Sequence, residues 1–260
     1  MRLIIGLLTA FALSIFGSVA AKADALQDIL SRGVVRIAVP VDTPPFGFLG
    51  ADREPTGYDV ELAHMVADAL GVKLDLQPTI SSNRVPFLLT NKVDVVISNM
   101  GLTPDRAKQI MFSQPYADNF SGVYGRKELP VSGPEDLGSY RIAASKGTMV
   151  EIALTNMAPN ANIMRADDNA TAVLTYISGQ ADMIAGEHIT SKELAKQYPN
   201  VDFTLKFKIR RAPVQMGVQM DQHNLLHWID SFIFAIKGDG RLGALQRKYF
   251  GEEQTDLPTL

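Results

Sequence analysis

Short apolar segments alternate with amphipathic segments along this chain, and that alternation limits the fold more than any other feature. Residues 34–39 form a β-branched run that ends at Pro40, as expected for a buried strand leading into a rigid turn. Between Gly57 and Gly71, apolar residues recur on one helical face, and residues 72–76 then predict a second strand. Strands that alternate with helices predict an α/β fold whose parallel sheets are covered on both faces.

The alternation continues downstream and indicates two similar units. Residues 89–99 line up with residues 177–187, because in both a helix closes, a small or polar pair turns the chain, and an aspartate starts an apolar strand. An ordinary helix-to-strand turn and a true internal repeat both remain open as explanations. In either case, two similar units imply two similar lobes. The other predicted elements are strands at 93–97, 141–144 and 182–185, and helices at 85–90, 148–156 and 169–178.

Two extended segments, residues 121–126 and 214–219, are candidates for the connections between the lobes. We therefore predict a first lobe over 24–125, a second lobe over 126–213, and a helical return to the first lobe over 214–260. The first lobe is then built from both ends of the chain. A cleft between two such lobes is where a ligand is expected to bind.

The first 23 residues have the features of a secretory signal peptide. Arg2 precedes an apolar run over residues 3–16, and Ala21-Lys22-Ala23 is a small-x-small cleavage site. The apolar run is short for a membrane span, so a retained N-terminal anchor is the less favoured alternative. We expect cleavage near Ala23 and a soluble mature protein.

Composition excludes several classes of function. The chain has no cysteine, which rules out disulfide frameworks, thiol nucleophiles and cysteine metal sites, and which argues for the periplasm rather than a lipid anchor. Its 25 Lys and Arg are scattered among 28 Asp and Glu, so there is no nucleic-acid footprint. Nucleophile-elbow, zinc-protease and phosphate-loop motifs are absent. We expect no metal or cofactor, and no enzyme.

Three predicted loops that follow strands carry polar side chains suited to an amino acid. Ligands of open parallel sheets bind beyond the carboxyl ends of the strands. Arg106 could grip a carboxylate with two hydrogen bonds. Thr148 and Glu151 form a Thr-x-x-Glu capping box, whose helix N-terminus can hold an anion. Glu187 could balance an ammonium group, although each residue also has an ordinary capping or surface role.

Other residues could extend this site. Phe46 could present an aromatic wall or could pack in the core. Arg84, with Ser81 nearby, is a second possible anion contact, and an inward orientation would suit a ligand with a second carboxylate. His188, beside Glu187, could take part in acid–base chemistry and keeps an enzyme alternative open.

Two segments of the sequence resemble a known family. Residues 57–62 with Val66, Ala67 and Leu70, and residues 98–106 with Phe112-Ser113 downstream, resemble the polar amino-acid-binding members of solute-binding protein family 3. The resemblance covers essentially all of the mature chain. It implies a type II periplasmic binding protein fold, with two α/β lobes joined by two hinge strands. It also implies a protein that closes on a free amino acid and delivers it to an inner-membrane ATP-driven (ABC) permease. We expect the protein to be a monomer.

The resemblance also implies roles for individual residues. Arg106 matches the arginine that binds the α-carboxylate, Thr148 the helix start that assists it, and Glu187 the acidic residue that pairs with the α-ammonium. Met149 follows at the same helix start. Further matched positions are the loop contacts Asn99 and Gly101 and the residues that read the side chain in acidic-amino-acid binders, Ser81 and Arg84.

Two positions depart from the pattern of this family, and one rival function stays open. Gly101 stands where many members have Ser or Thr, and Thr43 replaces an aromatic residue of some basic-amino-acid binders. A few relatives on this fold are periplasmic dehydratases of the cyclohexadienyl or arogenate type. Such an enzyme would need a general acid in the cleft, for which Glu187 and His188 are the candidates.

Overall fold

A computed structural model describes residues 24–259, so the predicted signal peptide at 1–23 lies outside the described residues. Within that range the helices α1 to α9 are Ala25–Arg32, Tyr58–Leu70, Arg84–Leu89, Pro104–Ala107, Met149–Met157, Asn169–Ile177, His188–Gln197, His223–Gly238 and Arg241–Phe250. The strands β1 to β13 are Val34–Pro40, Asp42–Thr43, Gly47–Leu49, Pro55–Thr56, Lys73–Thr79, Val95–Val96, Ile110–Ala117, Phe120–Gly125, Arg141–Ser145, Asn162–Ala166, Met183–Glu187, Thr204–Arg211 and Val214–Gln219.

Two five-stranded sheets form the centres of two lobes. Their strand orders are β5-β1-β6-β13-β7 and β10-β9-β11-β8-β12. In each sheet the first three strands are parallel, as predicted, and the fourth strand is antiparallel to both of its neighbours. The antiparallel strand in each sheet is the one that has just crossed from the other lobe. It starts at the edge where the parallel strands end, so it must run in the opposite direction.

The two lobes therefore share one strand order. The strands in the internal sequence match, β6 and β11, both hold the third position of their sheet. Each is preceded by a helix, α3 or α6, that packs on the same sheet. The similarity of the two segments thus has a structural counterpart in equivalent positions.

The crossings between lobes differ slightly from the predicted boundaries. β7 ends at Ala117 in the first sheet and β8 begins at Phe120 in the second, so the chain crosses at residues 118–119. The predicted boundary at residue 125 is therefore wrong by about one strand. An extended apolar run reveals a strand but not the sheet in which it pairs. The chain returns to the first sheet at residues 212–213, between β12 and β13.

The core of the first lobe is the packing of α2, α8 and α9 against its sheet. α2 ends at Gly71, whose φ of 68° provides the left-handed conformation that closes a helix. Leu62 and Val66 are fully buried on its inner face, and each such burial contributes about 1.5–3 kcal/mol to folding. No helix within residues 24–259 is both long enough and apolar enough to cross a membrane.

Candidate functional site

A cavity lies between the two lobes, where the carboxyl ends of the parallel strands meet. The first lobe contributes Asp42, Thr43, Pro44, Ser81, Arg84 and Asn99, and the polar residues from the second lobe are Ser145, Thr148, Asn169, Glu187, Thr190 and Ser191. β1 leads to the first of these residues, β6 to Asn99, β9 to Ser145 and β11 to Glu187. This is the arrangement expected for open α/β sheets.

Three buried polar atoms face this cavity without a partner. They are Asn99 Oδ1, Ser145 Oγ and Thr190 Oγ1, and no other buried side-chain oxygen or nitrogen within residues 24–259 lacks a hydrogen bond. All three residues line the cavity. A buried polar group without a partner costs about 1–3 kcal/mol. Their convergence in one place indicates a surface built to hydrogen-bond a polar molecule.

Arg106 lies at the junction of the two lobes, and it is not among the residues that line the cavity. Thr103 caps the short helix α4 by accepting a hydrogen bond from the Arg106 backbone N–H at 3.2 Å. The guanidinium donates to the Gly101 carbonyl at 2.7 Å and, across the cleft, to the Gly147 carbonyl at 2.8 Å. Burial, with repulsion from Arg84, lowers the Arg106 pKa to about 10, so the side chain stays cationic at neutral pH.

Thr148 caps α5 at the cavity wall. Its hydroxyl accepts from the Glu151 N–H at 3.1 Å and donates to the Ser145 carbonyl at 2.8 Å. The second half of the predicted capping box does not form, because the Glu151 carboxylate accepts from Arg165 Nε at 2.8 Å instead. Thr148 and Val150 both line the cavity, so the first turn of α5 lies at the cavity wall.

Glu187 ends β11, and its carboxylate is partly buried beside the cavity. One carboxylate oxygen accepts from Asn119 Nδ2 at 3.3 Å, at the crossing between the lobes. Burial raises the Glu187 pKa, and the positive charge of Arg84 opposes that rise. The Glu187 carboxylate can therefore accept further hydrogen bonds from a cationic group.

Arg84 is buried, with only 5% of its surface exposed, and lines the cavity. Its Nε donates to Ser98 Oγ at 3.1 Å, the sole hydrogen bond of this guanidinium to any of the described residues. Burial lowers the Arg84 pKa, while the carboxylates of Glu187 and Asp42 act in the opposite direction. The alternative of a solvated surface arginine is therefore wrong, and donors on the guanidinium remain available.

Asn169 was not predicted, and it joins the lobes at one end of the cavity. At the start of α6, its backbone N–H and Nδ2 both donate to Asp42 Oδ2, at 2.8 and 3.2 Å. Nδ2 also lies 3.1 Å from Thr43 Oγ1 and 3.3 Å from Ser81 Oγ. The sequence signal was limited to a helix-capping Asp168 before Asn169, which does not reveal a contact with a distant segment.

Gly101 and Met149 meet across the lobes rather than on the cavity wall. Neither belongs to the residues that line the cavity. A Cβ atom added to Gly101 would lie 2.7 Å from Met149 Cε and 3.3 Å from the Pro213 carbonyl oxygen. Glycine at this position therefore allows the close approach of the lobes, and its carbonyl serves Arg106.

Phe46 and His188 also lie outside the residues that line the cavity. Phe46 is fully buried in the first lobe, with its ring 5.9 Å from that of Tyr58 and 5.3 Å from that of Phe250, so the prediction of an aromatic wall is wrong. His188 faces away, with its ring stacked 4.2 Å from that of Phe120. Neighbouring residues on a chain that turns into a helix point in different directions, so proximity to Glu187 in sequence did not place His188 in the cleft.

Because Phe46 belongs to the core, its substitution should affect stability and not ligand affinity. We expect Phe46→Leu to lower the free energy of unfolding by about 1–2 kcal/mol, through lost contacts with Tyr58 and Phe250. Urea unfolding measures the stability, and calorimetric titration with free amino acids measures the affinity. A loss of affinity with unchanged stability would return Phe46 to the ligand site.

Comparisons with known proteins agree with this architecture. Residues 35–252 match the family model of bacterial extracellular solute-binding proteins, family 3. The L-cystine-binding protein TcyJ of Escherichia coli is 26% identical over 234 residues, which cover 88% of this chain and 87% of that protein. The crystal structure of a cysteine-binding protein from Campylobacter jejuni superposes with a TM-score of 0.83 at 27% identity, covering 91% of this chain and 97% of that one.

An enzyme is also among the similar proteins. A cyclohexadienyl dehydratase of Pseudomonas aeruginosa is 26% identical over 210 residues, which cover 77% of this chain and 76% of the enzyme. Binding proteins and an enzyme therefore lie at comparable distances in sequence, and overall similarity does not separate the two functions.

Proposed function

Because the chain belongs to family 3 of the bacterial extracellular solute-binding proteins, we propose that it captures a free amino acid in the cavity between its lobes. The observation that carries this proposal is the convergence of unpartnered buried polar atoms and charges of both signs on one interlobe cavity. An α-amino acid supplies a carboxylate, an ammonium group and hydrogen-bond donors within a few ångströms. Each of these groups has a complement on the cavity wall or directly behind it.

We assign the α-carboxylate and the α-ammonium group of the ligand to three sites on the protein. Arg106 and the N-terminus of α5 at Thr148 would hold the α-carboxylate, because both place positive charge or free N–H groups at the junction of the lobes. Glu187 would hold the α-ammonium group through the acceptor capacity that Asn119 leaves unused. Residues from both lobes thus share one ligand, which couples binding to closure.

The side chain of the ligand is assigned to Arg84. The two buried cations, Arg84 and Arg106, repel each other. Glu187 attracts both of them, but in the proposed complex its carboxylate pairs with the ligand's ammonium group. Asp42 forms no direct ion pair with Arg84 among the described residues, and its carboxylate oxygens accept instead from Asn169 and Thr43. An amino acid with a second carboxylate would pair with the free donors of Arg84.

Delivery to a permease completes the proposed function. Members of this family are extracellular or periplasmic binding proteins, and we propose that this chain acts as a monomer in the periplasm after removal of residues 1–23. The closed form would dock on an inner-membrane ABC permease and release the amino acid there. Several similar proteins carry an ABC transporter in their names, which supports this assignment.

The proposal is tested by calorimetric titration of residues 24–260 with free L-amino acids and L-cystine. We expect heat of binding for at least one of them, with dicarboxylic members of the panel binding most tightly. Silence across the entire panel would refute the proposed function.

The role of Arg84 is tested by exchanging it for glutamine. The wild type should bind L-glutamate more tightly than the isosteric L-glutamine, and Arg84→Gln should reduce that preference by at least about tenfold, or about 1.4 kcal/mol. Arg165→Gln is the control, since Arg165 pairs with Glu151 away from the cavity. An equal loss for both ligands would mean that Arg84 binds the α-carboxylate and does not read the side chain.

A dehydratase is the alternative that one observation favours. The raised pKa of Glu187 suits a general acid, and the similar proteins include a cyclohexadienyl dehydratase. His188 lies outside the cavity, which leaves Glu187 as the candidate acid. Incubation of the protein with prephenate and with arogenate separates the functions, because an enzyme forms product continuously and a receptor does not.

A further inference from the structure

Asp59 is a carboxylate with no exposed surface, located directly beneath the loop that carries Asn99 into the cavity. In the sequence, Asp59 is an acidic residue in the first turn of α2, which suits the helix dipole, and it belongs to the segment 57–62 that resembles the family. In the structure, Asp59 Oδ2 accepts the backbone N–H of Asn99 at 2.7 Å, and Oδ1 accepts the Tyr116 hydroxyl at 2.9 Å. The two carboxylate oxygens are thus shared between the cavity loop and the strand that leads to the interlobe crossing.

The backbone held by Asp59 has an uncommon conformation. Asn99 has a φ of +40°, which is in the left-handed region that non-glycine residues seldom adopt. Such a conformation persists only where the surrounding structure enforces it. The hydrogen bond to Asp59 acts on the peptide group between Ser98 and Asn99, so it orients the residues on both sides of that peptide.

Both of these residues serve the cavity. Asn99 Oδ1 is one of the buried acceptors without a partner, and Ser98 Oγ accepts from Arg84 Nε at 3.1 Å. One carboxylate therefore controls the peptide from which a ligand-facing amide and the support of a ligand-facing guanidinium both extend. A rotation of this peptide would displace the two groups together.

Asp59 is itself held firmly in place. Tyr116, which donates to Asp59, has its carbonyl oxygen bonded by the Tyr58 hydroxyl at 2.8 Å and by Gln246 Nε2 at 3.2 Å. Among the ion pairs of the described residues none involves Asp59. Burial raises the Asp59 pKa to about 7, while its two hydrogen bonds and the positive charge of Arg84 act in the opposite direction. A buried carboxylate with no direct ion pair is costly to folding.

We propose that Asp59 is a positioning residue for amino-acid binding, which holds the Asn99 peptide in its left-handed conformation and thereby presents Asn99 and Arg84 to the ligand. The expected effect on ligand affinity rests on the proposed function, but the geometry of the loop can be measured without any ligand. A role confined to stability would leave the cavity loop and the affinity unchanged in any variant that still folds.

The test compares three variants of the mature chain. Asp59→Leu removes both acceptors, Asp59→Asn keeps one acceptor for the Asn99 N–H, and Tyr58→Phe weakens the same buried network without touching the loop. We expect Asp59→Leu to weaken L-glutamate binding by at least about tenfold. Asp59→Asn and Tyr58→Phe should stay within about threefold of the wild type, whatever their unfolding midpoints.

Amide hydrogen exchange of Asn99, followed by NMR without ligand, is the second measurement. We expect slow exchange in the wild type and in Asp59→Asn, and exchange at least about tenfold faster in Asp59→Leu. Should Asp59→Leu fail to fold, the pH dependence of the Asn99 amide proton shift decides. In the wild type, the Asn99 amide proton shift should change with pH as Asp59 titrates, and in Asp59→Asn this change should be lost. The other nearby ionisable groups, Arg84, Glu187, Tyr58 and Tyr116, are present in both proteins and so cannot account for the difference.

Wild-type affinity in Asp59→Leu, or a rapidly exchanging Asn99 amide in the wild type, would overturn the proposal. An absence of glutamate binding to the wild type would instead count against the proposed ligand, and the Asn99 exchange data would still decide the role of Asp59.

Discussion

Replacing Arg106 with alanine is expected to weaken binding of L-glutamate by about 2–5 kcal/mol. The guanidinium lies between carbonyl groups of both lobes, and it is the cation that the proposed α-carboxylate would meet at their junction. Removing it leaves that carboxylate buried without a counter-ion, and leaves the Gly101 and Gly147 carbonyls without their donor. Both losses oppose the closed, liganded form.

Calorimetric titration of the wild type and Arg106→Ala measures this loss directly. Arg241→Ala is a suitable control, because Arg241 is exposed and pairs with Asp239 far from the cavity. Urea unfolding of both variants shows whether the fold itself is altered. Unchanged glutamate affinity in a folded Arg106→Ala variant would remove Arg106 from the ligand site.

Glu187→Gln is expected to have an effect of similar size, on the order of 2–5 kcal/mol. Glutamine has nearly the same shape but no negative charge, so the ligand's ammonium group would be buried without its counter-ion. Burial raises the pKa of Glu187 above its ordinary value. Since only the ionised carboxylate pairs with the ammonium group, wild-type affinity should fall as the pH drops through that raised pKa.

A pair of ligands isolates this interaction. Glutarate has the two carboxylates of L-glutamate and lacks the ammonium group, so Glu187→Gln should weaken glutamate binding and leave glutarate binding unchanged or improved. The pH dependence described above should also disappear in the variant. An equal loss of affinity for glutamate and glutarate would show that Glu187 does not bind the ammonium group.

The polar residues that converge on the cavity were predictable where they follow a strand. Thr148 and Glu187 each come after or at the end of a parallel strand, and such ends meet at one edge of a sheet. A helix N-terminus that can hold an anion and a carboxylate that can hold a cation were sufficient to suggest a zwitterionic ligand. Arg106 was predicted by the same rule, because its helix starts in the loop beyond β6, but it lies at the lobe junction and not among the residues that line the cavity.

Other residues could not be assigned from the sequence. Phe46 follows two prolines, and neither its hydrophobicity nor its neighbours reveal whether its ring faces the core or the cleft. Asn169 and Asp42 are 127 positions apart, and their contact exists only because two lobes face each other. Asp59 has the composition of an ordinary helix start, and its hydrogen bonds to Asn99 and Tyr116 link segments about 40 and 57 positions away.

The sequence by itself determined the α/β alternation, the two similar units and the set of charged residues at the strand ends. Those features depend on local periodicity and on the geometry of single strand-loop-helix units, which neighbouring residues encode. Only the tertiary structure decided the sheet to which β8 belongs, the inward orientation of Arg84, the burial of Phe46 and the hydrogen bonds of Asp59. These depend on packing between distant segments, where burial and the pairing of polar groups select one orientation from several that the local sequence allows.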